Sequence, residues 1–190
     1  VKFNSTDTTG TAAALKAAQK SDVVVIMLGE HGYQSGEGRS RTELGLPGLQ
    51  QEFLEKVYAV NKNVVLVLAN GRPLALPWAH ENIPSIVEAW QLGAQSGHAI
   101  AQVLHGDYNP SGKLPMSFPV NVGQVPIYYN RKSTGRPVLP GKDVVFWSHY
   151  QDVSNDPLWS FGHGLSYTSF EYSDLKIENS FGQDNQVIVS

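Results

Sequence analysis

The chain has 190 residues, of which 41% are apolar and 16% charged, with a net charge of −3 and no cysteine. That balance describes a globular chain long enough for one core plus an appendage, and it excludes a disordered chain, a disulfide scaffold, a thiolate metal site and a cysteine nucleophile. The 14 Lys and Arg are scattered without a basic run, so neither nucleic acid nor an anionic membrane is an expected partner. No apolar stretch approaches the ~20 residues that span a bilayer. The chain begins at Val1 and ends inside the alternating run Gln186–Val189, which reads as a piece of something longer.

In chain order, helical and strand patterns alternate. The Ala-rich stretch Thr11–Gln19 predicts a helix. Val23–Leu28 is an apolar, β-branched run without a polar face and predicts a buried strand. Pro47 is expected to open a helix whose apolar face carries Leu49, Phe53, Leu54 and Val57. Val64–Leu68 is a second buried strand, closed by Asn70-Gly71-Arg72-Pro73, and Ser85–Ala89 a third. Gly97–Leu104 predicts a further helix, stopped by Gly106. Lys113–Phe118 is expected to be a short edge strand, because Pro115 forbids a fully paired central one. The expected fold class is therefore α/β, a three-layer sandwich with a mostly parallel sheet and helices on both faces.

From Pro119 the pattern dissolves. Pro119, Pro126, Pro137, Pro140 and Pro157 punctuate a Gly-, Tyr- and Asn-rich segment that is too long for an ordinary connection and too aromatic for a disordered linker, so it is expected to wrap a surface. Ser169–Ile177 alternates with period two and predicts a strand-like tail leading into an all-β module.

The loop after the first strand concentrates the chemistry. Gly29, Gly32, Gly36 and Gly38 space the acids Glu30 and Glu37 and the arginines Arg39 and Arg41, and a polar loop at the end of a buried strand is where α/β proteins place ligands. The order G-x-G-x-x-G is absent, as is a P-loop Lys-Ser/Thr pair, and no G-x-S-x-G elbow occurs. The six histidines form no i,i+4 metal pair, and each reads as structural. Glu37, between two glycines, can reach far from the loop toward another surface; equally it reads as a solvated acid paired with Arg39 or Arg41. Glu30, at the strand end, reads as an anchor that accepts backbone N–H bonds or pairs with an arginine. Arg72 could clamp either carboxylate.

Together, Gly29-Glu30, Ser35-Gly-Glu-Gly-Arg-Ser-Arg41, Leu46-Pro47, Asn70-Gly-Arg-Pro73, Gly106-Asp-Tyr-Asn-Pro-Ser-Gly-Lys-Leu-Pro-Met-Ser-Phe-Pro119 and Phe161-Gly-His-Gly-Leu-Ser-Tyr-Thr168 resemble the C-terminal α/β-sandwich domain of family three glycoside hydrolases, the β-glucosidase and β-xylosidase group. Two departures stand out: His163 where the family usually has an aromatic such as Tyr, and Gln91–Gly97 without the acids often found there. The resemblance implies a family domain over 1–164 and, over 165–190, a linker and the truncated start of a fibronectin type III-like domain. It implies an N-terminal (β/α)₈ barrel of the same parent chain as partner, bearing an aspartate nucleophile, and an oligosaccharide or β-glucoside substrate. It implies a retaining hydrolase with no cofactor and no metal, in which Glu37 matches the acid/base position, with Glu30 as the other candidate. Arg39 and Arg41 are then expected to face away from Glu37, which must be protonated when substrate arrives. The resemblance also leans toward the periplasm or the exterior as location. The rival reading is a non-catalytic carbohydrate-binding or structural module of the same fold.

Overall fold

The computed structural model describes residues 6–133, 135–139, 141, 145–179 and 187–189. Its centre is a parallel sheet of three strands in the order β1 (Val24–Gly29), β2 (Val64–Ala69), β3 (Ser85–Glu88). The register sets Ile26 beside Leu66 and Leu66 beside Ile86, so one row of side chains runs across the sheet toward the helices. Helices α1 (Thr11–Lys20), α2 (Gln50–Val60) and α3 (Pro77–Asn82) supply Ala18, Leu54, Val57 and Ala79 to the same core as Leu66 and Leu68. The opposite face carries Val67, also buried, and helix α4 (Ser96–His105), whose Ile100 shares a cleft with Met27. The molecule is an α/β sandwich, as the alternating pattern implies.

Most elements fall where their sequence places them, and the differences have local causes. Pro47 and Gly48 do not enter α2; the Gln50 N–H bonds back to the Pro47 carbonyl, and the helix begins at Gln50. Asn61, which ends α2, donates from Nδ2 to the Ala18 and Ser21 carbonyls, at 2.9 and 2.7 Å, and so ties the C-terminal ends of α1 and α2 together. α3 has no counterpart in the sequence reading. It is a single short stretch with proline in its first turn, a favoured place because the proline lacks an N–H that would go unpaired there. α4 ends at Gly106, whose φ of 78° is the left-handed cap that glycine adopts at least cost.

The edge strand expected over Lys113–Phe118 does not form. Its backbone pairs at two points on either side of Pro115 instead. Leu114 exchanges hydrogen bonds with His163 and Gly162, and Phe118 with Trp159 and Leu158, all at 2.8 Å. Phe118 is fully buried between the rings of Trp90 and Trp159. Beyond it, Gln124 is buried and spans the long segment: its Oε1 accepts from the Val120 N–H, and its Nε2 donates to the Ser154 and Asp156 carbonyls. Pro140 lies outside the described residues. The tail strand also differs from its expectation: 169–176 is irregular, and the strand begins only at β4 (Ile177–Asn179), which pairs antiparallel with β5 (Val187–Val189).

Candidate functional site

The C-terminal ends of β1, β2 and β3 lie side by side, because the register pairs Gly29 with Ala69 and Leu68 with Glu88. Gly29 holds the closest approach. Its φ is 140°, and a Cβ there would fall 2.0 Å from the Ala69 carbonyl oxygen. The Gln50 side-chain amide grips the Gly29 backbone from α2, accepting from its N–H at 2.7 Å and donating to its carbonyl at 2.8 Å. A strand end fixed from both sides is a rigid base for the loop that follows.

Glu30 is the hub of that base. Its side chain is fully buried, and its Oε1 takes Nη1 of Arg41 at 2.8 Å, with Arg72 Nε at 2.9 Å. The Gly71 N–H donates to Oε2 at 3.3 Å. The Arg72 Nε–H points off the line to the carboxylate, so that contact is ionic and not a hydrogen bond. A buried carboxylate is tolerable only with such partners. Arg41 also donates to the Gly45 carbonyl, and Arg72 to those of Gln34 and Arg39. Of the two carboxylates Arg72 might have clamped, it clamps Glu30.

Above this base the loop narrows to a turn. His31 caps the short 3₁₀ turn Gly32–Gln34 by accepting the Tyr33 N–H. Next, the Arg39 N–H bonds to the Gly36 carbonyl at 3.1 Å and closes a four-residue turn. Gly38, with φ of 69°, stands third in it, where a type II turn demands glycine. Glu37 stands second, at the tip. It is exposed, and among the described residues its carboxylate has no hydrogen bond or ion pair. Arg41 faces Glu30, and Arg39 is exposed and makes no ion pair either.

One ionisable group here carries no sequence motif. Glu88, at the end of β3, has its carboxyl pushed up to about 7 from 4.5 by burial, against the opposing pull of hydrogen bonds from the Trp90 N–H and the Asn70 amide. Asn70 is fully buried. The only hint in the sequence is a charged residue closing an apolar strand. Two clefts flank the strand ends, of 440 and 210 Å³, and Glu30 borders both while Glu37 borders neither. Among the described residues no group of three or more His, Asp or Glu is placed to hold a metal ion, and no helix is long and apolar enough to cross a membrane. Of the histidines, His80 accepts the Trp159 indole N–H on its Nδ1 at 3.1 Å.

Comparison with known proteins bears on this arrangement. Residues 2–167 match the glycosyl hydrolase family 3 C-terminal domain. The chain is 46% identical over 178 residues to a periplasmic beta-glucosidase of Salmonella typhimurium, covering 93% of this chain and 23% of that protein. It is 44% identical over 171 residues to a beta-xylosidase of Formosa agariphila, covering 90% of this chain and 23% of that one. Among solved structures, the beta-glucosidase of Listeria innocua in complex with isofagomine superposes with a TM-score of 0.86 at 40% identity, over 94% of this chain and 25% of the other. The chain thus spans about a quarter or less of the length of these relatives.

Proposed function

This chain belongs to the glycosyl hydrolase family 3 C-terminal domain family, and we propose that it serves as that domain in a retaining, exo-acting β-glucosidase-like hydrolase, bringing Glu37 as acid/base to an active site whose aspartate nucleophile sits on an N-terminal barrel. One observation carries the choice of residue. Glu30 is buried and held by two arginines, whereas Glu37, at the tip of a glycine-flanked turn, is unpaired among the described residues. A buried carboxylate engaged by two arginines and a backbone N–H of its own domain has no free face to offer a substrate. A carboxylate at a free tip can enter another domain's site and take its properties from there.

In that site two carboxyl groups about 5–5.5 Å apart would flank the anomeric carbon. The aspartate attacks it, the bond to the leaving oxygen breaks, and Glu37 donates its proton to that oxygen. Glu37, now ionised, takes a proton from water, which attacks the glycosyl-enzyme and releases the sugar with retained configuration. The first transfer requires a proton on Glu37 when substrate binds. The face of Arg41 toward Glu30 removes one cation that would oppose this. Residues 1–164 form the catalytic partner domain in this reading, and 165–190 lead into a following β-rich module. A periplasmic or external location is consistent with the description of the Salmonella relative.

The test is Glu37→Ala in the full-length parent protein. We expect kcat/KM for an aryl β-glucoside with a poor leaving group to fall by about 10²–10⁴-fold. Azide should then restore turnover of activated substrates, because it attacks the glycosyl-enzyme without needing a base. Full activity of Glu37→Ala together with loss in Glu30→Ala would move the role to Glu30; full activity of both would favour a non-catalytic module.

A further inference from the structure

The turn that carries Glu37 has little of its own to hold it. Residues 36–40 are exposed, and their internal backbone bond is the single one between Arg39 and Gly36. What closes the turn at its foot is Arg72. The same Nη2 donates to the Gln34 carbonyl and, at 2.8 Å, to the Arg39 carbonyl. These carbonyls stand immediately before and at the end of the segment 35–39, so one nitrogen draws both ends of the excursion to a point. The guanidinium is itself fixed, since its Nε lies against Oε1 of buried Glu30, the same oxygen that Arg41 holds. Gly71 brings this assembly close: a Cβ on it would lie 1.9 Å from Ser35 Oγ, so the β2 turn and the foot of the loop are in direct contact.

We propose that Arg72 is the positioning residue of the Glu37 turn, setting where the carboxyl stands relative to the sugar-bearing site without touching substrate. The proposal rests on Glu37 being the acid/base. A planar fork is required, because Nη2 must serve two carbonyls while Nε faces Glu30; a lysine offers one point charge at the end of a flexible stem and cannot do both. Displacement of a reacting group by about 1 Å costs on the order of 10²-fold in rate. That loss would fall on the proton-transfer step alone. Binding of the sugar and attack by the nucleophile belong to the barrel.

The experiment compares Arg72→Met and Arg72→Lys in the full-length parent protein, using phenyl β-glucoside, which needs a proton on its leaving group, and 2,4-dinitrophenyl β-glucoside, which does not. The ratio of the two kcat/KM values, phenyl over dinitrophenyl, should fall about 10²-fold in both variants, and azide should raise kcat on the dinitrophenyl substrate. Adding Arg72→Met to Glu37→Ala should leave the ratio of the single Glu37 variant unchanged, because the two residues act through one carboxyl. If Arg72→Met does not fold, the lysine variant, which keeps a charge beside Glu30, carries the test. Equal loss on both substrates, or an unchanged ratio while Glu37→Ala shifts it, would overturn the role of Arg72 and leave that of Glu37 standing. A wild-type ratio in Glu37→Ala would overturn both.

Discussion

Two glutamates, buried Glu30 just past β1 and half-buried Glu88 at the end of β3, differ in which groups surround them. Glu30 faces two guanidinium groups and a backbone N–H. Glu88 faces an amide and one N–H, with burial raising its carboxyl to about 7. A folded-state value above the unfolded one means that the neutral form is favoured in the fold. The stability it contributes is therefore fully present below about pH 4.5 and lost as pH rises through about 7. The shift sets an upper bound of about 3 kcal/mol on that loss. Glu88→Gln keeps an acceptor for the Trp90 N–H and removes the charge, so urea denaturation of this chain at pH 5 and pH 8 should show a smaller decline with pH in the variant than in the wild type. Equal declines would place the charge of Glu88 outside the stability balance. None of this is visible in the residues Ser85-Ile-Val-Glu88, because the burial that raises the carboxyl comes from the folded surroundings of the strand end and not from its neighbours in sequence.

At the level of elements, what could be read in advance was whatever is encoded within a few residues. β2 was legible as a buried strand because a long β-branched run has no polar face to keep wet; β1 forms where expected but is not buried as expected, since only one of its faces packs on the helices and Val25 and Met27 on the other are exposed; α4 was legible because its apolar spacing ends at a glycine. α3 was not, since six residues give too short a window for any period. The strand expected at Lys113–Phe118 failed because Pro115 interrupts the donors, leaving two anchor points where a ladder was expected. The base of the site was legible in kind, because Glu30 at the strand end reads as an anchor for an arginine and Arg72 as a clamp; that Arg41 and Arg72 both converge on it, from 11 and 42 positions away, depends on the β1–β2 register and on the path of the loop. That register makes Gly29 sensitive. Gly29→Ala would drive a Cβ into the Ala69 carbonyl, an atom of a core strand that cannot swing aside, at a φ that side chains rarely adopt. We expect a loss of about 3 kcal/mol or more, whereas Gly106→Ala, with open space around it, should lose about 1 kcal/mol. Thermal denaturation of both variants checks the order, and similar losses would mean that β1 can retreat from β2.

At the scale of the whole molecule, the surfaces that remain open are informative about what the domain does. On β1, Val25 and Met27 are each more than half exposed, at 54 and 56%, and the outer edge of that strand has no partner among the described residues. The turn with Glu37 is likewise exposed and borders neither cleft. A retaining mechanism needs a second carboxyl opposite the first, about 5–5.5 Å away. Glu30 and Glu88 are held at the strand ends by their own partners, so neither is available to oppose Glu37 across a sugar. Half a site cannot form the glycosyl-enzyme, however well the proton donor is placed. The purified 190-residue chain should therefore release no phenol from phenyl β-glucoside above the rate in buffer, while the full-length parent protein turns it over. Turnover by the isolated chain that vanishes in its Glu37→Ala variant would show that the second carboxyl lies within these residues, and the two-domain reading would fall.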